Sequence, residues 1–566
     1  MDLFHFFFIL FTLTINGYGV NLSYDLRNIE ENCKKLRYNS ESRLMSKKAV
    51  RILLILLLAV LIDSCALKKP EITPQQLAEY YKIIEEADKL YERGAYTCLK
   101  KAFSLYEEAL SVPVFQNQNR EKLLRISILL AIREKELGFL EDTYLKKAST
   151  IISNSLSLAD YSVILEIAST LPRKTAGIVG DLVEDGQRVV IPFDEIRENF
   201  TDWLALLKQR SDEDALYAYI YISSCAAFYY LIEEKPDFAS IQEAYADSLL
   251  IQYVLSLQST DSQKNFEKLR QDEPRFYEAY YFLGQIALKM GRLITAEKNL
   301  LRAYQEFPGS SSIVISLASL YYAFEELDLS LEYYEQAIKM APNYRDALLG
   351  KVICLSFLGR HHEAIEACNI MLALGNYYLG ESHYWLAWNQ NELGELENAW
   401  ENIENSKKYL IGYGQVYSLA GTIAFNQKNL DEAENNFFEA CKQDASNGDP
   451  PYYMGKIKTI REDWLNSGVY FERASGNYQR KEELIQKKIR EIESSSLSEE
   501  RKKKYLARKK NQLSRLQLTK ATAWYNAAAG YCNAGMKKKA IELAQKAASH
   551  SALKDKAQEL LNLVEK

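Results

Sequence analysis

His361 and His362 stand side by side, and Glu366 follows one helical turn after the second. Two imidazoles and a carboxylate are ligand types for a divalent metal, and the same groups do acid–base work. The pair falls directly after Gly359-Arg360, at a turn, and completes no recognised metal motif. Serines, histidines and acids occur along the chain, yet no nucleophile-elbow or phosphate-loop spacing is present. Five histidines and eight dispersed cysteines leave little material for a metal or nucleophile centre. The residues therefore predict no catalytic group, no metal and no cofactor, and a small-molecule substrate is disfavoured.

One cysteine has a chemistry of its own. Met45 to Arg51 is basic, Ile52 to Ile62 is uninterruptedly apolar, and Asp63-Ser64-Cys65 follows. Such a run is too short for a spanning helix, which needs about 20 apolar residues, and suits a secretory signal. Its ending resembles a bacterial lipobox, with Ile62 three before the cysteine and Ser64 one before; Asp63 departs from the small residues preferred there. The resemblance implies that Cys65 becomes a lipidated N-terminus, each acyl chain adding about 0.8 kcal/mol per buried methylene. It implies a bacterial cell envelope, inner or outer membrane being left open; an uncleaved signal anchor is the alternative. Residues 1–44 hold a second apolar run, Phe4 to Leu13, preceded by Asp2. A complete signal behind another is unexpected, so the translation start is expected at Met45. Residues 65–75 then form a tether.

The elements that position everything else are helical. Of 566 residues, 24 are glycine and 11 proline, while 48% are apolar and 26% charged. That is too apolar for disorder and too poor in chain-breakers for a large β-sandwich or barrel. From Tyr277, the residues Tyr280, Leu283, Gly284, Ala287, Gly291, Ala296, Leu300, Ala303 and Pro308 occupy set places in a unit of about 34 residues. The same places recur from Glu243, Ser311, Arg345, Gly380 and Gly414, more weakly around Gly455, and again in Trp524, Ala528, Tyr531, Gly535, Ala540 and Ala544. This pattern resembles the tetratricopeptide repeat. The resemblance implies an all-α fold, a right-handed α-solenoid of stacked helix-turn-helix repeats in which neighbours touch neighbours.

The organisation expected is divergent helical repeats over 76–242, the repeat array over 243–475, an insertion over 476–520, and a terminal repeat with a capping helix over 521–566. Asp185-Gly186 between valine-containing stretches predicts a small β-hairpin or ordered loop near 178–193. Single helices are expected over 156–171, 214–234 and 238–255. Cys354 and Cys368 fall on the two helices of one repeat, as buried thiols or as a disulfide.

In the family the first helices line a concave groove. Mapped onto this chain, that implies Tyr281, Gln285, Lys289, Ile315, Ser319, Tyr322, Leu349, Ile353, Phe357, Tyr384, Trp388, Asn391, Ser418, Thr422, Phe425 and Asn426. Rings supply contact area and amides satisfy backbone groups, so a protein or peptide partner is expected there. The lysine–asparagine clamp of the chaperone-binding members is not visible, and that ligand is not implied. The insertion carries thirteen Lys or Arg and six Glu over 479–516, a net of +7 on an otherwise acidic chain. Helical spacing on both sides of Ser494-Ser495-Ser496 predicts a projecting helical hairpin. It is either a solvated extension of two repeat helices, or a docking arm. In the second case Arg501, Lys502, Lys503, Lys504, Arg508, Lys509 and Lys510 meet anionic lipid or an acidic partner. Nucleic acid is not expected for an exported chain. The sequence thus points to a lipid-anchored scaffold. A component of an outer-membrane assembly or secretion complex is the alternative, and an enzyme with a helical accessory array a further one.

Overall fold

The computed structural model describes residues 73–112, 116–173, 193–232, 236–375 and 378–565. Two compact units divide the chain, Met1–Leu77 and Ala78–Lys566. Of the first, residues 73–77 are described. There the Gln76 amide donates to Thr73 Oγ1 at 3.2 Å and the Thr73 amide to Gln76 Oε1 at 3.0 Å, a capping box opening helix α1, Pro74–Arg93. The leader, Cys65 and the 178–192 part of the expected β-hairpin lie outside the described residues; Phe193 opens a helix. Among the described residues there is no strand, and no helix is long and apolar enough to cross a membrane.

The second unit begins with a divergent lobe: α2 Tyr96–Ala109, α3 Gln116–Glu136, α4 Thr143–Ser153, α5 Ser162–Thr170, α6 Phe193–Arg210 and α7 Ala215–Ala227. The three long helices expected there are each broken. A 3-10 turn, Leu156–Tyr161, precedes α5, and another, Tyr229–Leu231, follows α7. The third divides into α8 Ala239–Ala244 and α9 Leu249–Ser256, because the Ser248 hydroxyl accepts from the Ile251 amide and caps a fresh helix. The unit counted from Glu243 therefore has a short first helix, paired with α10 Ser262–Asp272.

Regular pairs follow: α11 Tyr277–Lys289 with α12 Leu293–Glu306, α13 Ser311–Ala323 with α14 Leu327–Met340, α15 Arg345–Phe357 with α16 His361–Ala373, α17 Leu379–Leu393 with α18 Leu396–Tyr409, and α19 Gly414–Asn426 with α20 Leu430–Gln443. Their pairing has a direct steric cause. A Cβ added at Gly421 would lie 2.6 Å from the Phe437 ring, and one at Gly284 2.7 Å from Leu300, so the helices close only over a small residue. From Tyr277 onward the residue at the helix–helix turn of each pair is left-handed: Gly291, Gly359, Gly394 and Gly535 in four, Glu325, Lys428 and Glu462 in the others. Gly94 and Gly138 turn the same way in the divergent lobe.

The hairpin is made as the pattern suggests, by lengthening two repeat helices. Helix α21, Asp449–Ile460, is followed by α22, Trp464–Glu493, which overruns its repeat; α23, Glu499–Asn533, returns and becomes the first helix of the terminal pair with α24, Lys537–Ala548, before α25, Lys554–Glu565. Ile485, Ile489 and Leu516 form its own core with Tyr478.

Contacts also run beyond nearest neighbours. The turn after α3 docks on the start of α13: Ser310 Oγ donates to the Leu137 carbonyl, and Ser311 Oγ to that of Gly138 at 2.7 Å. Phe139 packs edge-on to Phe307, and a single core runs from Ala87 to Phe324 and includes Tyr505. The one-dimensional array expected from the repeat is thus folded back on itself at both ends, because the lobe and the hairpin carry side chains that fit distant repeats.

Candidate functional site

The first helices of the repeats place the expected groove residues in two different states. Toward the N-terminal end they are consumed by packing: Tyr281 and Ile315 are buried, as are Leu349 and Ile353. The Tyr281 hydroxyl accepts from Gln285 Nε2 at 2.7 Å, and burial pushes its phenol well above its ordinary range. Ser319 Oγ donates to the Ile315 carbonyl at 2.9 Å. These positions hold adjacent repeats together and offer little surface.

From Tyr322 onward rings reach solvent. Phe357 is 52% exposed. Its centroid lies 6.4 Å from Tyr322, 5.8 Å from Trp385 and 6.0 Å from Trp388, and Trp385 is 5.3 Å from Tyr384. Burial raises the Tyr384 phenol to about 12. Three helices, α13, α15 and α17, thus contribute to one aromatic ridge. Beyond it Asn426 Nδ2 donates to Asn391 Oδ1 at 2.9 Å, linking α19 to α17. Phe425 meets the Tyr453 ring at 5.3 Å, and the Lys456 ammonium sits 4.9 to 5.6 Å from the centroids of Tyr453, Tyr452 and Phe425. A cavity of ≈ 400 Å³ opens there, lined by Phe425, Lys456, Ile460, Trp464, Phe471 and Asn526 among others.

Trp385, Tyr453 and Lys456 were not anticipated. Lys456 stands at the ninth place of the unit counted from Gly448, one of the concave places, and that count alone would have found it. Trp385 occupies a sixth place, outside the usual concave set, and no periodic signal marks it. His361 belongs to this ridge: its Nδ1 is 3.0 Å from Asn389 Oδ1 and its ring 5.7 Å from Trp388. Asn389, fully buried, also donates to Ser356 Oγ and the Trp385 carbonyl, so it ties the His361 ring to α15 and α17. Cys354 and Cys368 are free, buried thiols that pack in different clusters, and burial pushes Cys354 up to about 11.

The hairpin departs most from expectation. Its tip does not project into solvent; it is seated on the edge of the repeats formed by α12 and the α13–α14 turn. Arg501 donates to both carboxylate oxygens of Glu297, at 2.6 and 2.9 Å, and lies 3.7 Å from Glu326. Tyr505 stacks on Phe324, centroids 5.2 Å apart and planes within 9°, and donates to Glu326. Arg508 donates to the Glu325 carbonyl at 2.8 Å, Lys509 pairs with Glu325, and Lys504 is 3.7 Å from Glu326. Lys502 pairs with Glu499 and Lys510 approaches Glu493 at 3.9 Å, both within the hairpin; Lys503 is exposed. The acidic partner of this arm is therefore the chain's own body, and most of its named cations are engaged there.

Stacked two-helix units with a small residue at each crossing and a left-handed turn define a tetratricopeptide-repeat solenoid. The tetratricopeptide-repeat family model matches residues 257–311 and 315–378, so the chain carries these repeats. It is similar to anaphase-promoting complex subunit 3 of Schizosaccharomyces pombe, 24% identical over 177 residues, which are 28% of this chain and 27% of that relative. Among solved structures it is similar to a tetratricopeptide repeat protein of Parabacteroides merdae, at 16% identity, 46% of this chain, 99% of that chain and a TM-score of 0.36. It is also similar to PilF of Pseudomonas aeruginosa, at 18% identity, 35% of this chain, 89% of that chain and a TM-score of 0.32.

Proposed function

We propose that this chain is a protein-interaction scaffold that holds an extended or helical segment of a partner along the open concave stretch from Tyr322 to Lys456, while Cys65 anchors it by lipid in a bacterial cell envelope. The observation that carries the groove reading is Phe357. A phenylalanine half in water at the centre of a five-ring cluster is area that a ligand buries with little rearrangement, since the neighbouring rings already pack against it. Asn391 and Asn426 beside it supply donors and acceptors for a backbone, and Lys456 supplies one positive charge. The anchor rests on the basic, apolar and cysteine-ending segment from Met45 to Cys65.

Affinity capture from envelopes, with native protein beside Phe357→Ala and Trp388→Ala variants, tests the groove. Loss of a central aromatic anchor is expected to weaken a captured partner by about 2 kcal/mol, roughly 30-fold. A partner retained equally by both variants, or a turnover activity in place of any partner, sinks the reading. Mass spectrometry of the native N-terminus tests the anchor; an unmodified Cys65 inside a longer chain sinks that part alone.

A further inference from the structure

The seated hairpin makes a closed circuit. From Phe324 the chain runs through α14 to α21, enters the hairpin at the base of α22, and returns through Tyr505 to Phe324. Every solvent-reaching groove residue from Phe357 to Lys456 lies on the arc that this circuit spans. The strut that closes it is stiff. Its two helices are packed by Ile485, Ile489 and Leu516, and its base is fixed by the buried Lys520–Glu482 pair with Gln517 and Gln479. From Tyr478 to Glu493 the helical rise alone makes it about 22 Å long. The separation of its two ends is therefore set, and with it the curvature available to the helix pairs between.

Base and tip differ in exposure. The base combines apolar packing with a buried ion pair, Lys520–Glu482, whose side chains are 10% and 7% exposed. At the tip, Glu297, Glu325 and Glu326 face Arg501, Lys504, Arg508 and Lys509, with Tyr321 donating to Glu297 at 3.2 Å, and the apolar share is the Phe324–Tyr505 stack with Ile492 and Leu497 alongside. The Lys504 side chain is 50%, Glu325 44% and Arg501 31% exposed while Glu297 and Glu326 are enclosed, so each ion pair of the tip has one member in water and is open to screening and competition in a way the base is not. The carbonyl that Arg508 reads belongs to Glu325, whose φ of 59° is left-handed at a place where four repeats use glycine. A non-glycine residue there is strained, and its carboxylate serves Lys509.

We propose that the hairpin tip is a reversible ionic latch, docked through Arg501, Lys504, Tyr505 and Lys509 on Glu297, Glu325 and Glu326, which fixes the curvature of the groove-bearing arc when shut and frees it when open. Its consequence for ligands rests on the groove reading: a partner that prefers another curvature opens the latch, and by linkage opening changes that partner's affinity by the same factor. The latch itself needs no ligand to be tested.

A zero-length carbodiimide cross-linker joins amines to carboxylates already in contact. On the native full chain at low salt, mass spectrometry is expected to find Lys509–Glu325 and Lys504–Glu326 links. Arg501→Glu is expected to abolish them, and the swap Arg501→Glu with Glu297→Arg to restore them. Small-angle scattering of the same samples is expected to give a larger maximum dimension for Arg501→Glu alone. Should that variant fold poorly, raising salt on native protein to about 1 M, where the screening length is about 3 Å, supplies the opening instead. Native protein without these links overturns the latch. Links lost with no change in maximum dimension overturn its control of the arc.

Discussion

Arg501 grips both oxygens of Glu297 across 204 residues of sequence, at 2.6 and 2.9 Å, with Glu297 almost fully enclosed at 12% side-chain exposure. A two-pronged guanidinium–carboxylate pair is directional as well as strong, so it fixes where the hairpin lands. Replacing Arg501 by Met strands a largely desolvated carboxylate and is expected to cost about 1.5–3 kcal/mol; Glu297→Gln is expected to cost less. In thermal unfolding the double variant should fall short of the sum by about 0.5–3 kcal/mol. Strict additivity would mean that the two side chains do not meet in solution.

The left-handed turn residues offer a paired comparison. Lys428 and Glu325 share the same place and nearly the same φ, 64° and 59°. Lys428→Gly relieves the strain with little else lost and is expected to raise the unfolding temperature, by about 1 kcal/mol of stability. Glu325→Gly gives the same relief but removes the carboxylate paired with Lys509, so no rise is expected. Equal gains at both sites would show that the Lys509 contact contributes nothing.

The local plan of the fold was legible and its long-range closure was not. Gly284 over Leu300 and Gly421 over Phe437 are short-range requirements, and they repeat, so periodicity finds them. Ser311 meeting Gly138 and Arg501 meeting Glu297 each happen once, between residues of ordinary type, and no spacing announces them. The same limit applies to the groove. Its places are given by the repeat, but whether Tyr281 is lost to packing while Phe357 stays open depends on what the neighbouring repeats and the lobe cover. Charge misled for a related reason: +7 on the hairpin reads as an arm for an outside partner until the three glutamates that receive it are seen.

Glu134 gives a pH dependence of definite sign. The Tyr144 amide approaches its carboxylate at 3.5 Å, but burial dominates and pushes the carboxyl up to about 7; Asp142 adds to the rise, while Arg173 and Lys100 oppose it. An unfolded glutamate ionises near 4.5. Between those values the unfolded chain gives up a proton that the folded chain keeps, so stability falls as pH rises through this window and levels off above 7. The penalty at pH 8 is at most about 3 kcal/mol. Glu134→Gln is expected to unfold at a higher temperature than native protein at pH 8, with the advantage shrinking toward pH 4.5. An advantage independent of pH would show that Glu134 titrates normally.

The seam between the divergent lobe and the repeats turns on Arg133. Its guanidinium is wholly buried, lies 3.6 Å over the Tyr253 ring, pairs with the equally buried Glu278 and donates to the Gly94 carbonyl at 3.3 Å. Glu278 also accepts from the Tyr96 amide at 2.6 Å, and Glu136 beside it accepts from the Tyr219 and Tyr253 hydroxyls. Helix α3 of the lobe is thereby tied to α11, the first helix of the regular repeats. Arg133→Met removes the cation paired with Glu278 and leaves that carboxyl to protonate or draw in water, an expected loss of about 3–5 kcal/mol. Replacing both residues by Met removes the pair but leaves Glu136, 3.7 Å from Arg133 in the native chain, with its two tyrosine donors, so a part of that stability is expected to return. Limited proteolysis reads the seam directly: Arg133→Met should release fragments cut between the lobe and Tyr277, and the double variant should release fewer. If both variants are cut equally, the pair does not hold the lobe, and the aromatic packing around Phe307 must do so instead.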